Sequence, residues 1–262
     1  MRDLTLKTIA FNMTKGGTGK STLSIITLNA LTGAGYKCLA IDTDIINHSL
    51  SFYFNSGIPF EEIQGKNIFK VFTGESIPDN VLKINDRLDL LHADVRLSDF
   101  RSIDNFKRLK KQIQDLTGYD YIIIDTAPTF DNITINVFNA SDSLIIPVIP
   151  DIFGYQSIKY LFKKLADLEL STLDVHVLFN QYEKPRTDNK ATYSNQIIDL
   201  FTGDETIKGF ISPVRISKSN QIKRYINDRG YTINTRRETA KQYGELKDLL
   251  KSIAGITLKG GI

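Results

Sequence analysis

The chain has 262 residues, 41% of them hydrophobic and 24% charged, enough for a single domain spanning 1–262 with a sizeable core. No apolar run reaches the roughly eighteen residues of a membrane span and no basic-then-apolar leader opens the chain, so neither insertion nor export is expected and the cytoplasm is the default. The lone Cys38 excludes an internal disulfide and a multi-thiolate metal centre.

In chain order, residues 6–11 alternate and then become apolar, which predicts a buried strand running straight into Met13-Thr-Lys15-Gly16-Gly17-Thr18-Gly19-Lys20-Ser21-Thr22. Leu23, Ile26 and Ala30 follow at helical spacing, and Gly33-Ala-Gly35 ends that helix. A second strand, 38–41, delivers Asp42-Thr-Asp44 at its carboxyl end. Residues 45–103 are less patterned, with a helix expected at 67–72 and a short strand at 88–92. A βα rhythm then returns: helix 104–117, strand 121–125, helix 132–140, strand 143–147, helix 156–168, strand 175–180, helix 190–201 and a last helix at 240–254. Strands such as Tyr121-Ile-Ile-Ile-Asp125 are apolar throughout, as strands covered on both faces are. The expected fold is therefore α/β, a doubly wound and mostly parallel sheet flanked by helices, with ligands at the carboxyl ends of its strands.

The glycine loop carries the chemistry. Closely spaced glycines let backbone N–H groups converge on phosphate oxygens, and the following helix N-terminus adds its positive dipole end. Lys20 supplies a mobile positive charge, and the Ser21 hydroxyl is a hard ligand suited to Mg²⁺. The ordinary pattern G-x-x-x-x-G-K-[ST] fails at Thr14, while Lys15 is a second lysine with no evident task in its own loop. Asp125 ends an apolar strand where a carboxylate can reach Mg²⁺, and Asp44 can orient an attacking water. Taken singly, each aspartate also reads as a helix cap or a solvated strand end.

These residues resemble the ParA/MinD family of P-loop ATPases. Lys15-Gly-Gly-Thr-Gly-Lys-Ser21 is similar to its deviant Walker A motif, Ile41-Asp-Thr-Asp44 to its A′ segment and residues 121–128 to its Walker B, with further similarity at 144–148, Asn180 and Val214-Arg-Ile-Ser217. The resemblance implies that residues 15–22 bind ATP, with Asn180 at the adenine. Lys15 would reach the γ-phosphate of a partner subunit in an ATP-bound homodimer, and Lys20 would act in its own site. Asp44 would direct the water, and Ser21, Asp42 and Asp125 would support Mg²⁺. Family members commonly follow the A′ aspartate with Pro-Gln; here Ile45-Ile46 stands in that place, which leaves the basal hydrolysis rate open.

Charge sorts the relatives. Residues 1–200 hold 21 Lys+Arg against 24 Asp+Glu, whereas residues 201–262 hold 12 against 6, a basic quarter suited to phosphates unless it is simply a solvated helix face. Arg215 and Arg186 match positions where short, Soj-like ParA proteins carry DNA-binding arginines, with Lys218, Lys223 and Arg224 as neighbours. This implies nonspecific, salt-sensitive binding of double-stranded DNA on the nucleoid, with hydrolysis stimulated by a ParB-type partner. No N-terminal helix-turn-helix domain is expected, and so no operator reading. The alternatives are a MinD-like membrane-surface ATPase and a dethiobiotin-synthetase-like ligase. For the former, Leu246, Leu249, Leu250 and Ile253 form an apolar stripe, but Glu245 and Asp248 lie among the lysines and core packing is expected. The nitrogenase iron protein is excluded by the single cysteine, and export kinases fit poorly because only Tyr231 and Tyr243 lie beyond residue 225.

Overall fold

The computed structural model describes residues 6–102, 105–168, 170, 172–183, 193–220, 222, 226 and 240–254. An eight-stranded sheet forms its centre, in the order β3-β4-β2-β5-β1-β6-β7-β8. The strands are β1 (Lys7–Phe11), β2 (Cys38–Asp42), β3 (Leu82–Asn85), β4 (Leu88–Leu91), β5 (Tyr121–Asp125), β6 (Ser143–Val148), β7 (Asp174–Tyr182) and β8 (Ile211–Ser217). All neighbouring pairs are parallel except β3 with β4. β2, β5 and β6 are buried along their whole length, the burial that their unbroken apolar sequences anticipate.

Helices cover both faces: α1 (Lys20–Gly33), α2 (Ser49–Phe54), α3 (Phe60–Gly65), α4 (Ile68–Thr73), α5 (Ile77–Asn80), α6 (Arg108–Gln114), α7 (Asn132–Ala140), α8 (Ile152–Ala166), α9 (Tyr193–Gly203) and α10 (Ala240–Ala254). One core cluster joins Leu39, Ile122, Ile124, Phe138, Leu144 and Phe179, and the other joins Ile9, Leu23, Leu28, Cys38, Ile123 and Leu178. Leu246, Leu249 and Leu250 are fully buried in that second cluster, so the sheet takes up the stripe that a lipid surface would need. The side chain of Ile253 lies outside the described residues. No described helix is long and apolar enough to cross a membrane.

The expected elements recur with shifted ends, and the shifts have local causes. Asp151 caps α8 by accepting from the Gly154 N–H, so that helix starts four residues before the expected 156. Asn67 is the cap of α4 rather than its first residue. The 45–103 stretch also contains α2, α3, α5 and the antiparallel β3, short elements whose spans are too brief to show a period. The sheet order reverses around β1, so the β1-α1 loop opens at a topological switch point, the usual place for a ligand in such sheets.

Candidate functional site

The register of the sheet assembles the acidic floor of the site. Asp42 pairs with Asp125 across β2 and β5, and Phe11, the last residue of β1, pairs with Asp125 on the other side. Both carboxylates are fully buried. Thr43 locks the two strand ends together, donating its N–H and its hydroxyl to the Asp125 carbonyl at 2.9 and 2.8 Å. Asp42 accepts from the N–H groups of Asp44 and Ser51 at 2.9 and 2.8 Å. Asp125 accepts from the Ser21 hydroxyl, and its Oδ1 lies 3.3 Å from the Ser24 hydroxyl, but its Oδ2 is buried with no hydrogen-bond partner. Burial first, and then the adjacent negative charges, pushes Asp125 up to about 8; burial likewise pushes Asp42 up to about 6 against its hydrogen bonds.

Above this floor the glycine loop is shaped as an anion cradle. Gly17 and Gly19 take φ of 73° and 96°, a region costly for residues with a Cβ. The Gly17 carbonyl accepts from Gln181 Nε2 at 2.8 Å and the Thr18 carbonyl from Asn180 Nδ2 at 2.7 Å. In a trans peptide the next N–H points opposite to the carbonyl, so these two bonds turn the Thr18 and Gly19 N–H groups away from β7. Gly19 is also a packing requirement, since a Cβ there would stand 2.3 Å from Asn180 Nδ2. α1 starts with no side-chain cap and no acidic residue in its first turn, which leaves its N-terminal N–H groups for an external anion.

The two lysines have different surroundings. Lys20 is 6% exposed, and burial lowers its pKa while Asp125 and Asp44 oppose that shift. Lys15 instead reaches Asp151, placing Nζ 2.8 and 2.7 Å from the two carboxylate oxygens, with the exposed Phe153 ring 5.8 Å away. Asp44 is 2% exposed; its Oδ1 accepts the N–H groups of Ile46 and Asn47 at 2.9 and 3.0 Å, and its Oδ2 accepts Asn47 Nδ2 at 3.0 Å.

The structure thus brings Gly16, Gly17, Thr18, Gly19, Lys20, Ser21 and Thr22 together with Asp42, Asp44 and Asp125 at the carboxyl ends of the central strands. Asn180 joins them as a brace of the loop. Arg215 is set apart on β8, with its guanidinium 5.6 and 5.0 Å from the Phe179 and Tyr182 ring centres. Lys218 is ion-paired with Glu183. Arg186, Lys223 and Arg224 lie outside the described residues. Sequence reasoning missed Asp151, Gln181 and Asn47; only Asp151 had a readable signal, as a cap preceding an amphipathic run.

The donor set fits Mg²⁺ bound with a nucleotide. Among the described residues no three His, Cys, Asp or Glu side chains form a closed metal cage. One hydroxyl and two carboxylates, one with an orphaned oxygen, instead suit a hard cation that takes its other ligands from phosphate and water.

Comparison with known proteins agrees with this geometry. A family model described as an AAA domain matches residues 6–178. The chain belongs to the ParA/Soj family of P-loop ATPases. It is 28% identical over 177 residues to the sporulation initiation inhibitor protein Soj of Bacillus subtilis, covering 63% of this chain and 68% of Soj. It is 27% identical over 227 residues to the virulence plasmid ParA family protein of Chlamydia psittaci, covering 82% of this chain and 84% of that one. A plasmid partition protein of Borrelia burgdorferi, solved with AMPPNP bound, superposes with a TM-score of 0.78 at 25% identity, covering 95% of this chain and 100% of that one. The α/β architecture, mostly parallel and flanked by helices, is the one this family shares.

Proposed function

We propose that this ParA-family ATPase binds Mg·ATP, dimerises, binds double-stranded DNA nonspecifically and is released when a ParB-type partner stimulates hydrolysis to ADP and phosphate, in the cytoplasm on the nucleoid. The observation that carries this reading is the division between the lysines: Lys20 is enclosed beside the acidic floor, while Lys15 leaves its own cradle for Asp151 at the mouth. A charge held at the mouth can exchange Asp151 for the γ-phosphate in a second subunit, whereas Lys20 can serve only its own site.

The loop N–H groups and Lys20 would hold the β- and γ-phosphates, and Thr22 would lie by the α-phosphate. Ser21, Asp42 and Asp125 would hold Mg²⁺, which supplies charge neutralisation on the phosphates when bound. Asp44 would orient the water in line with the γ-phosphate, and Asn180 would accept from the adenine with its Oδ1, the amide atom not used by Thr18. Two subunits paired across ATP would present their basic quarters together. DNA affinity then rises through effective concentration, with Arg186, Arg215, Lys218, Lys223 and Arg224 meeting phosphates. For Lys218 this entails leaving Glu183.

Co-sedimentation with plasmid DNA and with anionic vesicles, each with ATP, ADP or no nucleotide, tests the reading. ATP-dependent, salt-sensitive pelleting with DNA alone is expected. Binding that ignores the nucleotide, or ATP-dependent binding to vesicles only, refutes it.

A further inference from the structure

Asp44 is the group to which this reading assigns the attacking water, yet its carboxylate is already engaged. Oδ1 accepts two backbone N–H groups, from Ile46 and Asn47, and these close the turn that follows β2. Oδ2 accepts from the side chain of Asn47 at 3.0 Å. A carboxylate only accepts, so it is the NH₂ end of the Asn47 amide that faces it. Asn47 is itself exposed and lies on the wall of a cleft of about 430 Å³ that also touches Ser21, Thr22, Ser49, Phe52 and Tyr53. Its amide therefore sits between the cleft beside the phosphate loop and the one Asp44 oxygen that no backbone group claims.

We propose that Asn47 is a positioning residue that restrains Asp44: its side-chain amide occupies the carboxylate oxygen that a water at the γ-phosphate needs, and turnover is slow until Asn47 swings away. The inference rests on Asp44 as the water-directing group of the proposed ATPase. An oxygen that already accepts a charge-assisted hydrogen bond is a weaker acceptor for a second donor, and it is half covered by the first. The backbone bonds to Oδ1 do not depend on the Asn47 side chain. Removing that side chain leaves the turn and the place of Asp44 intact and frees Oδ2.

The test is steady-state and single-turnover hydrolysis of radiolabelled ATP by the full chain, as wild type, Asn47→Ala and the nearly isosteric Asn47→Leu, each also combined with Asp44→Ala. Both single variants are expected to raise basal kcat by about tenfold, the scale of one hydrogen bond to a charged group, with KM for ATP and the melting temperature unchanged. In the Asp44→Ala background, neither substitution should change the residual rate. Unchanged or lower kcat in both variants overturns the proposal, and so does an equal acceleration without Asp44. If wild type and variants all fail to bind or turn over Mg·ATP, the ATPase assignment itself fails, a result separate from either.

Discussion

On the floor of the phosphate site, Asp42 and Asp125 stand fully buried side by side, and one oxygen of Asp125 has no partner. At the mouth, Lys15 already holds Asp151, and deeper in, the buried Asp44 already holds three N–H donors. Residue types that are alike have been put to opposite uses. A buried carboxylate short of partners is costly to ionise in the chain without its ligand, and a cation with phosphates relieves that cost. A partly exposed pair is weakly held and can be exchanged for a stronger partner. In the proposed function the floor would receive the protein's own nucleotide, and Lys15 and Asp44 would each have to give up a contact that is already made.

Four substitutions press on that contrast. Lys20→Ala removes the lysine that faces the floor carboxylates and should cost about 10²- to 10³-fold in ATP affinity, the scale of truncating one partner of a desolvated charge pair; equilibrium binding of a fluorescent ATP analogue measures it. Near-normal affinity would place the phosphates elsewhere. Lys15→Ala should leave that affinity nearly unchanged while weakening ATP-dependent dimerisation by at least about tenfold, as loss of a charge-assisted phosphate contact requires. Analytical ultracentrifugation with Mg·ATP measures the dimer, and one of normal affinity would remove Lys15 from the interface.

Asp151→Asn is gentler, because asparagine keeps the α8 cap to Gly154 and loses only the ion pair. Freed of a partly exposed pair worth no more than about 1 kcal/mol, Lys15 should favour the ATP dimer by up to about fivefold. A weaker dimer would show that Asp151 presents Lys15 rather than withholding it.

The fourth substitution bears on stability against pH. Asp125 titrates near 8 in the folded chain against an ordinary value of 3.8, so its contribution is fully present below 3.8 and is lost as pH rises through about 8. Asp42, raised to about 6, acts in the same direction at lower pH. Without nucleotide the melting temperature should fall between about pH 5 and about pH 8.5, and Asp125→Asn should flatten most of that fall. Mg·ATP should stabilise the wild type increasingly as pH rises, and calorimetry across the range checks both. An equal slope in Asp125→Asn would show that Asp125 is not held protonated.

Legibility in the sequence followed the range of the interactions. β5 could be read because an unbroken apolar run ending in Asp125, set within a βα series, is what a strand covered on both faces requires. α8 was placed late because its first turn depends on the Asp151 cap, and β3 was missed because the alternation of Leu82-Lys-Ile-Asn85 is only four residues long. In the site, the glycine loop was legible as a local device: phosphate binding by backbone N–H groups needs its glycines in consecutive order.

Residue identity and spacing alone therefore determined the cradle, its lysines, the two strand-end aspartates and the doubly wound sheet, because each is encoded within a few consecutive positions. Only the tertiary structure decided how those charges are satisfied. The pairing of Lys15 with Asp151 spans 136 residues and the bracing of Thr18 by Asn180 spans 162, distances over which one sequence carries no local signal. The orphaned Asp125 oxygen likewise follows from strand register and burial, which set how many partners a charge can reach.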